Sequence, residues 1–119
     1  YKKKLINKYM TKIYHFSKYI KKEKITFSKN DLNSIIQIYS QKVSNGIWKD
    51  YSINFENNYA QFSIYKHTYA SPEFSIVKNK KMLFSVYSKK KEIKKSSSLK
   101  DVLNILQKVE NKKIFRIIK

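Results

Sequence analysis

The stretch NGIWKDYSINF, residues 45–55, contains the only Gly and the only Trp of the chain. Its Asn-Gly pair is typical of a helix end, because the residue after the C-cap takes a left-handed backbone conformation that costs Gly least. Beyond Gly46, the residues Tyr51, Ile53 and Phe55 alternate with polar residues, as they do in a half-buried strand. The stretch therefore predicts the junction between a helix and a sheet.

The residues before this junction predict a helix over 27–46. Ser28 has the sequence position of an N-cap, and Asp31 stands three residues later, as in a capping box. Phe27 and Leu32 occupy the two positions of a hydrophobic staple. Apolar residues then recur every three or four positions and predict one buried stripe: Leu32, Ile35, Ile36, Tyr39 and Val43.

The residues after the junction predict two β-hairpins. The first covers residues 50–66 and turns at 56–58, with Ala60, Phe62 and Ile64 alternating in its second strand. The second turns at 79–81, and its alternating apolar positions are Phe74, Ile76, Met82, Phe84 and Val86. Residues 89–98 are polar and basic, so we expect them to form a loop.

Two further helices are predicted at the ends of the chain. Ser98 and Asp101 repeat the capping pattern. The helix that they start has an apolar stripe of Leu99, Val102, Leu103, Leu106 and Val109. Residues 114–118 are expected to form a last strand or packed extension. Residues 1–24 predict a basic amphipathic helix with the apolar positions Ile6, Tyr9, Met10, Ile13, Phe16 and Ile20. The expected fold class is α+β: an antiparallel four-stranded sheet with flanking helices over residues 25–119, preceded by this N-terminal helix.

The net charge of +19 is unevenly distributed. Residues 1–24 carry a net +8 and residues 78–95 a net +7, whereas residues 25–77 are neutral. An AT-rich coding sequence favours Lys over Arg, but it does not remove Asp and Glu, so the excess of base over acid predicts a polyanionic partner. The candidate phosphate-binding residues are Lys2, Lys3, Lys4, Lys8, Lys12, Lys18, Lys21, Lys22, Lys78, Lys80, Lys81, Lys89, Lys90, Lys91, Lys94 and Lys95.

The motif GIWKDY, residues 46–51, also carries a resemblance, and its notable positions are Gly46, Trp48, Lys49, Asp50 and Tyr51. Together with the preceding helix DLNSIIQIY, it resembles a small alphaproteobacterial family catalogued only as a domain of unknown function. In that family the motif is followed by a basic residue, a Pro, an apolar-x-Ile-x-Lys run and a basic segment that leads into an L-x-x-V-L pattern. The positions of this chain that look like these are Lys66, Pro72, residues 74–78, Lys94-Lys95 and Leu99. Lys49 stands where the family has Arg. The resemblance implies an architecture and a bacterial lineage, but no activity. Together with the Lys-rich N-terminal helix and the AT-rich composition, that lineage predicts a mitochondrial protein.

The sequence favours structural roles over catalysis for its other notable residues. Trp48 is expected in the core and not stacked on a ligand, because large aromatic side chains are mostly used there. Asp50 has no second acid or His at a pairing distance in sequence, and His15 and His67 are isolated. With one Gly and no Cys, the chain offers no Gly-rich phosphate loop and no thiolate chemistry. We therefore expect no enzymatic activity, no metal and no cofactor.

These observations predict a non-catalytic protein that binds structured RNA through phosphates. A small component of a mitochondrial ribosome, in contact with rRNA and neighbouring ribosomal proteins in the matrix, fits best. Lys suits phosphate contacts, whereas bidentate base recognition favours Arg. Two alternatives stay open: a subunit or assembly factor of a membrane complex, with residues 1–22 lying on anionic lipid, and a DNA-binding nucleoid protein.

Overall fold

The computed structural model describes residues 24–67 and 71–118, with side chains described as far as residue 112. The described part is α+β and contains two helices and a five-stranded sheet. Its elements in chain order are α1 (Lys29–Ser44), β1 (Asp50–Phe55), β2 (Tyr59–Tyr65), β3 (Phe74–Asn79), β4 (Phe84–Ser88), β5 (Lys91–Ser96) and α2 (Leu99–Ile118). The predicted N-terminal helix lies outside the described residues, except for Lys24, which has no regular secondary structure.

Helix α1 begins with the predicted capping box. The Ser28 hydroxyl accepts a hydrogen bond from the Asp31 N–H at 3.0 Å, and the Ser28 N–H donates to the Asp31 carboxylate at 3.2 Å. Two of the N–H groups at the start of the helix are thereby satisfied. The capping prediction is confirmed.

The end of α1 confirms the role predicted for the single Gly. Gly46 has φ +73°, its N–H donates to the Val43 carbonyl at 2.9 Å, and the Ile47 N–H donates to the Lys42 carbonyl at 2.9 Å. This pair of bonds is a Schellman motif, which satisfies carbonyls that the helix leaves free and turns the chain toward β1.

The five strands form a meander in which each strand pairs antiparallel with the next along the chain. The first hairpin has the predicted alternation: Ile53 lies opposite Phe62, and Phe55 lies opposite Ala60. Phe62, Ile76 and Val86 follow one another on neighbouring strands of one face, and all three are fully buried.

The prediction of four strands was wrong, because the expected loop at 89–98 contains β5. Lys89 and Lys90 form a two-residue turn with φ 48° and 72°, the left-handed pair that a type I′ hairpin requires. Asn-Gly is the usual sequence signal for that turn, and Lys-Lys carries none. An irregularity opposite Val86 and Tyr87 also breaks the alternation of β5, so its period is hidden in the sequence.

Three smaller expectations were also wrong. Met82 is not in a strand but in the β3–β4 turn, where it is 59% exposed with φ 62°. Val43 ends the α1 stripe at 39% exposure, beyond the reach of the core. Residues 114–118 continue α2 and form neither a strand nor a separate extension, because no Gly or Pro interrupts the helix after Leu99.

Both helices cover the same face of the sheet. Tyr39 of α1 lies 5.0 Å from the Tyr51 ring of β1 and 6.1 Å from the Phe62 ring of β2, while α2 lies against β4 and β5. The buried core between the layers consists of Phe27, Ile35, Trp48, Ala60, Phe62, Ile64, Phe74, Ile76, Phe84, Val86, Leu99, Val102, Leu103 and Leu106. Neither described helix covers the other face of the sheet, called the open face below.

Candidate nucleic-acid interface

The lysines of residues 78–95 do not form one continuous segment in the structure. Lys80 and Lys81 lie in the β3–β4 turn, whereas Lys89, Lys90 and Lys91 lie at the β4–β5 turn. Strand β4 separates them and is five residues long, about 17 Å at the rise of a strand. The meander therefore divides the predicted basic segment into two clusters at opposite ends of the sheet.

The β4–β5 cluster, Lys89, Lys90 and Lys91, is held at the end of a tight turn. All three residues are exposed, and none takes part in the ion pairs found within residues 24–67 and 71–112. The Lys89 N–H donates to the Glu73 carbonyl at 3.1 Å, which fixes the turn against the start of β3. The cluster thus presents three exposed lysines at one turn, with no ion pair to an acid in the described part of the chain.

The β3–β4 cluster, Lys80 and Lys81, is shaped by Asn79. Its side-chain oxygen accepts from the Lys81 N–H at 2.9 Å and from the Leu83 N–H at 3.0 Å. They add to two backbone bonds of the same turn, from the Asn79 N–H to the Leu83 carbonyl at 3.0 Å and from the Met82 N–H to the Asn79 carbonyl at 3.1 Å. Both lysines are exposed.

The two lysines of β5 differ from those in the turns. Lys94 is exposed on the edge strand opposite Val86. Lys95 is also exposed, but it forms an ion pair of 3.7 Å with Glu92 three residues earlier. Lysines along an edge strand discourage pairing with another chain, so these two positions have a structural explanation as well as the predicted one.

Lys78 is directed into the domain. Its ammonium donates to the Thr26 carbonyl at 3.1 Å, forms an ion pair of 3.6 Å with Asp31 and lies 5.7 Å from the centre of the Phe84 ring. The side chain is only 12% exposed. These contacts join the start of α1 to β3, so we leave Lys78 out of the phosphate-binding set proposed below.

An ion-pair cluster that the sequence analysis missed lies between β2 and α2. Glu110 is fully buried, and one of its carboxylate oxygens is 2.8 Å from the Lys66 ammonium. Lys66 also lies 3.9 Å from Glu73. Neither Glu110 oxygen has a well-directed hydrogen bond among the described residues. The sequence contained a signal for the burial of Glu110, which stands four residues after Leu106 and so lies on the same side of the helix, but none for Lys66 as its partner.

The GIWKDY motif forms the structural corner expected of it. Trp48 is 1% exposed and lies between the rings of Tyr39, at 6.1 Å, and Phe74, at 6.2 Å. Its indole N–H has no acceptor in the described part of the chain. The core prediction for Trp48 is confirmed, because the ring is buried among aromatic side chains.

The rest of the motif starts β1. The exposed Lys49 donates its backbone N–H to the Tyr65 carbonyl at 2.9 Å, and the Asp50 carboxylate accepts from the Tyr51 N–H at 2.8 Å. The Tyr51 ring stacks on Phe62 with ring centres 5.1 Å apart. Burial, followed by the Asp50 carboxylate and Tyr51, raises the pKa of the nearby Tyr39 hydroxyl above its ordinary value.

A basic cavity of about 420 Å³ opens beside the β4–β5 turn. It is lined by Lys66, His67, Ser71, Pro72, Glu73, Lys89 and Lys90. Lys66 is held by its two carboxylates, so Lys89, Lys90 and the exposed His67 are the groups that can meet an anion there.

The remaining predictions concern the N-terminal lysines, the histidines, metal binding and a membrane contact. The N-terminal candidates lie outside the described residues: Lys2, Lys3, Lys4, Lys8, Lys12, Lys18, Lys21, Lys22 and also His15. Within residues 24–67 and 71–112, no three His, Cys, Asp or Glu side chains come together as a metal site. No helix in the described part of the chain has the length and hydropathy needed to cross a membrane.

Comparison with known proteins assigns a family. No curated protein and no solved structure matches the chain. A family profile matches residues 25–103 and so covers most of the chain, from the residues before α1 into the first turns of α2. The matched region contains the whole sheet and the Gly46–Tyr51 corner. The chain belongs to the family described as protein of unknown function DUF2794.

Proposed function

We propose that this protein is a non-catalytic RNA-binding protein that contacts the phosphates of structured RNA through its exposed turn lysines. The contact set consists of Lys80, Lys81, Lys89, Lys90 and Lys91, together with Lys94, Lys95 and the lysines of residues 1–22. The observation that carries the proposal is the β4–β5 cluster: three adjacent, exposed lysines at a fixed turn, with no acid paired to them in the described part.

The backbone of this turn strengthens the argument. Left-handed backbone at a residue other than Gly or Asn costs about 1–2 kcal/mol, and here two successive lysines adopt it. Asn codons are as AT-rich as Lys codons, and the chain uses Asn freely, so base composition does not account for Lys at these positions. Strained backbone of this kind clusters at functional sites.

The spacing of the clusters suggests what they contact. An RNA backbone that follows the sheet from one turn to the other passes the β5 edge, where Lys94 and Lys95 are exposed. Several phosphates can be neutralised along such a path, each with release of a counterion. The site of action we propose is a mitochondrial ribosome in the matrix, supported by the resemblance to an alphaproteobacterial family and the AT-rich composition.

The salt dependence of RNA affinity tests the proposal. In the variant with Lys89, Lys90 and Lys91 changed to Gln, the plot of log affinity against log salt should flatten by about 2–3 units, at roughly 0.7–0.9 units per phosphate contact. A matched control changes the exposed α2 lysines Lys100, Lys108 and Lys112 to Gln, with the same loss of charge. Titrations of the full chain with a structured RNA measure both.

Three outcomes would count against the proposal. Equal slopes for the turn variant and the α2 control would mean that the lysines are a uniform solvated surface. Tighter binding to duplex DNA than to RNA would favour a nucleoid role, and binding to anionic vesicles without RNA retention would favour a membrane complex.

Sedimentation of native lysate with and without ribonuclease should place the chain in ribosomal fractions only while the RNA is intact.

A further inference from the structure

The open face of the sheet is polar and aromatic, in contrast to the covered face. The alternation that directs Phe62 and Ile76 inward directs their strand neighbours outward: Tyr59, Gln61, Ser63, Ser75, Val77, Ser85 and Tyr87. The ring contacts found within the described residues all join rings of the covered side, and none involves Tyr59 or Tyr87. Tyr59 is exposed and Tyr87 is half-buried, so part of each ring is open to a ligand, whereas Ser63 and Ser85 on the same face are buried.

A groove of about 410 Å³ runs across this face and is called the tyrosine groove below. It is lined by Tyr59, Gln61, Pro72, Ser75, Val77, Tyr87 and Lys90. Tyr59 is 37% exposed, and Gln61, Ser75 and Val77 lie on adjacent strands between the two rings. The groove thus combines two aromatic rings, a polar floor and a cation.

We propose that the tyrosine groove binds unpaired bases of RNA, with Tyr59 and Tyr87 stacking on the bases and Lys90 contacting a phosphate. This inference rests on the proposed RNA-binding function and adds a base-binding site to its phosphate contacts. Base faces are available only where RNA is single-stranded, as in loops and bulges, because a duplex hides them. The occupant is therefore an unpaired segment of the same RNA.

The position of Lys90 connects the groove to the basic cavity. Lys90 and Pro72 line both, so a strand whose bases lie in the groove has its phosphates beside Lys89 and Lys90. Binding of single strands typically combines a basic track with aromatic stacking. Charge complementarity between these lysines and a phosphate backbone favours nucleic acid over a neutral ligand.

The two tyrosines serve different nucleotides. Tyr59 lies opposite Asn79, and Tyr87 lies opposite Ser75. These partners are four residues apart along β3, so the Cα atoms of the two tyrosines are about 16 Å apart at ordinary strand dimensions. That separation is too wide for one base to be held between both rings.

Gln61 has the geometry to contact a base edge. Its amide nitrogen donates to the Ser63 hydroxyl at 3.0 Å and to the Ser75 hydroxyl at 3.2 Å. With both amide hydrogens so directed, its carbonyl oxygen is the atom that can accept from a base amino group. Gln61 is thus expected to prefer bases that carry an exocyclic amino group.

The test uses the full chain with two labelled RNAs, an unpaired adenine oligonucleotide and a hairpin duplex of equal charge. The Tyr59→Leu/Tyr87→Leu variant keeps apolar bulk but lacks stacking rings. We expect its affinity for the unpaired RNA to fall by about tenfold or more per tyrosine, while its affinity for the duplex stays unchanged. Tyr59→Phe/Tyr87→Phe is the matched control and should stay within about twofold of the wild type for both RNAs.

Photo-crosslinking of wild-type protein to an RNA containing 4-thiouridine supplies a measurement that needs no variant. Crosslinked peptides should contain Tyr59 or Tyr87. Undiminished binding of unpaired RNA by the Leu variant, or crosslinks confined to the lysine turns, would overturn this inference. If the slope of log RNA affinity against log salt is still flatter in the Lys89, Lys90 and Lys91 variant, the RNA-binding function stands and the base site alone is rejected. If that slope is unchanged in the variant, the RNA-binding function and the base site are both rejected.

Discussion

The two faces of the sheet are built from the same strands but differ in almost every property. The covered face contributes Phe62, Ile76 and Val86, each fully buried beneath the helices. The open face contributes tyrosines, serines and a glutamine joined by hydrogen bonds. A strand's two-residue period makes this division possible, because it allows one face to supply stability and the other to change without unfolding the protein.

The largest effect should come from the covered face, at Trp48. Trp48→Ala should lower the free energy of unfolding by about 3–5 kcal/mol, because it leaves a cavity among Tyr39, Phe74 and the rest of the core. Trp48→Phe should cost less, since the indole N–H has no described acceptor to lose. Tyr87→Ala on the open face should be far milder. Urea denaturation compares the three, and equal losses for Trp48→Ala and Tyr87→Ala would contradict the division of the faces.

A somewhat smaller effect is expected at Lys66, which shares the basic cavity with Lys90 but is directed inward. Lys66→Met leaves the buried Glu110 carboxylate without its cation and should cost about 3 kcal/mol. Adding Glu110→Leu should recover most of that loss, because an apolar pair needs no compensation. Lys90→Met, at the exposed side of the cavity, should stay within about 0.5 kcal/mol. A double variant no more stable than Lys66→Met would refute the ion-pair explanation.

Substitutions at two residues with left-handed backbone, at the end of α1 and in the β4–β5 turn, should change the free energy of unfolding in opposite directions. Gly46→Ala should cost about 1 kcal/mol. This is a backbone effect, since an added Cβ at Gly46 meets no atom within 4 Å. Lys90→Gly should instead stabilise the domain by up to about 1 kcal/mol, because it relieves the strain of the turn. It should also weaken RNA binding. Thermal unfolding measures the two signs, and a destabilised Lys90→Gly would remove the argument from strain.

The smallest expected effect is a pH dependence at Tyr39. Burial, then Asp50 and Tyr51, raise its pKa above the ordinary 10.0, so the unfolded chain ionises this hydroxyl before the folded one does. Stability is therefore complete below pH 10 and falls as the pH rises above it. Tyr39→Phe should reduce that alkaline loss, and Asp50→Asn should reduce it in part. Denaturation midpoints across this pH range provide the measurement, and identical alkaline profiles would show that Tyr39 does not contribute.

Much of the fold could be predicted from the sequence, because the ends of helix α1 and the alternation of the first hairpin depend on local chemistry. The capping box at Ser28, the left-handed Gly46 and the alternation of Ile53 and Phe62 each depend on residues close together along the chain or within one hairpin. Strand β5 escaped prediction because its turn lacks Asn or Gly and its bulge breaks the two-residue period. The Lys66–Glu110 pair was also missed, since it joins residues far apart in sequence.

The candidate site was predictable only in its chemistry. The excess of lysine, the neutral centre and the absence of cysteine are properties of the sequence alone, because charge and side-chain type do not depend on folding. Only the tertiary structure decided which lysines face outward. It turned Lys78 and Lys66 toward carboxylates and placed Lys80 and Lys89 at opposite ends of β4. It also gathered Tyr59 and Tyr87 on the open face, because strand register brings together residues that no local pattern connects.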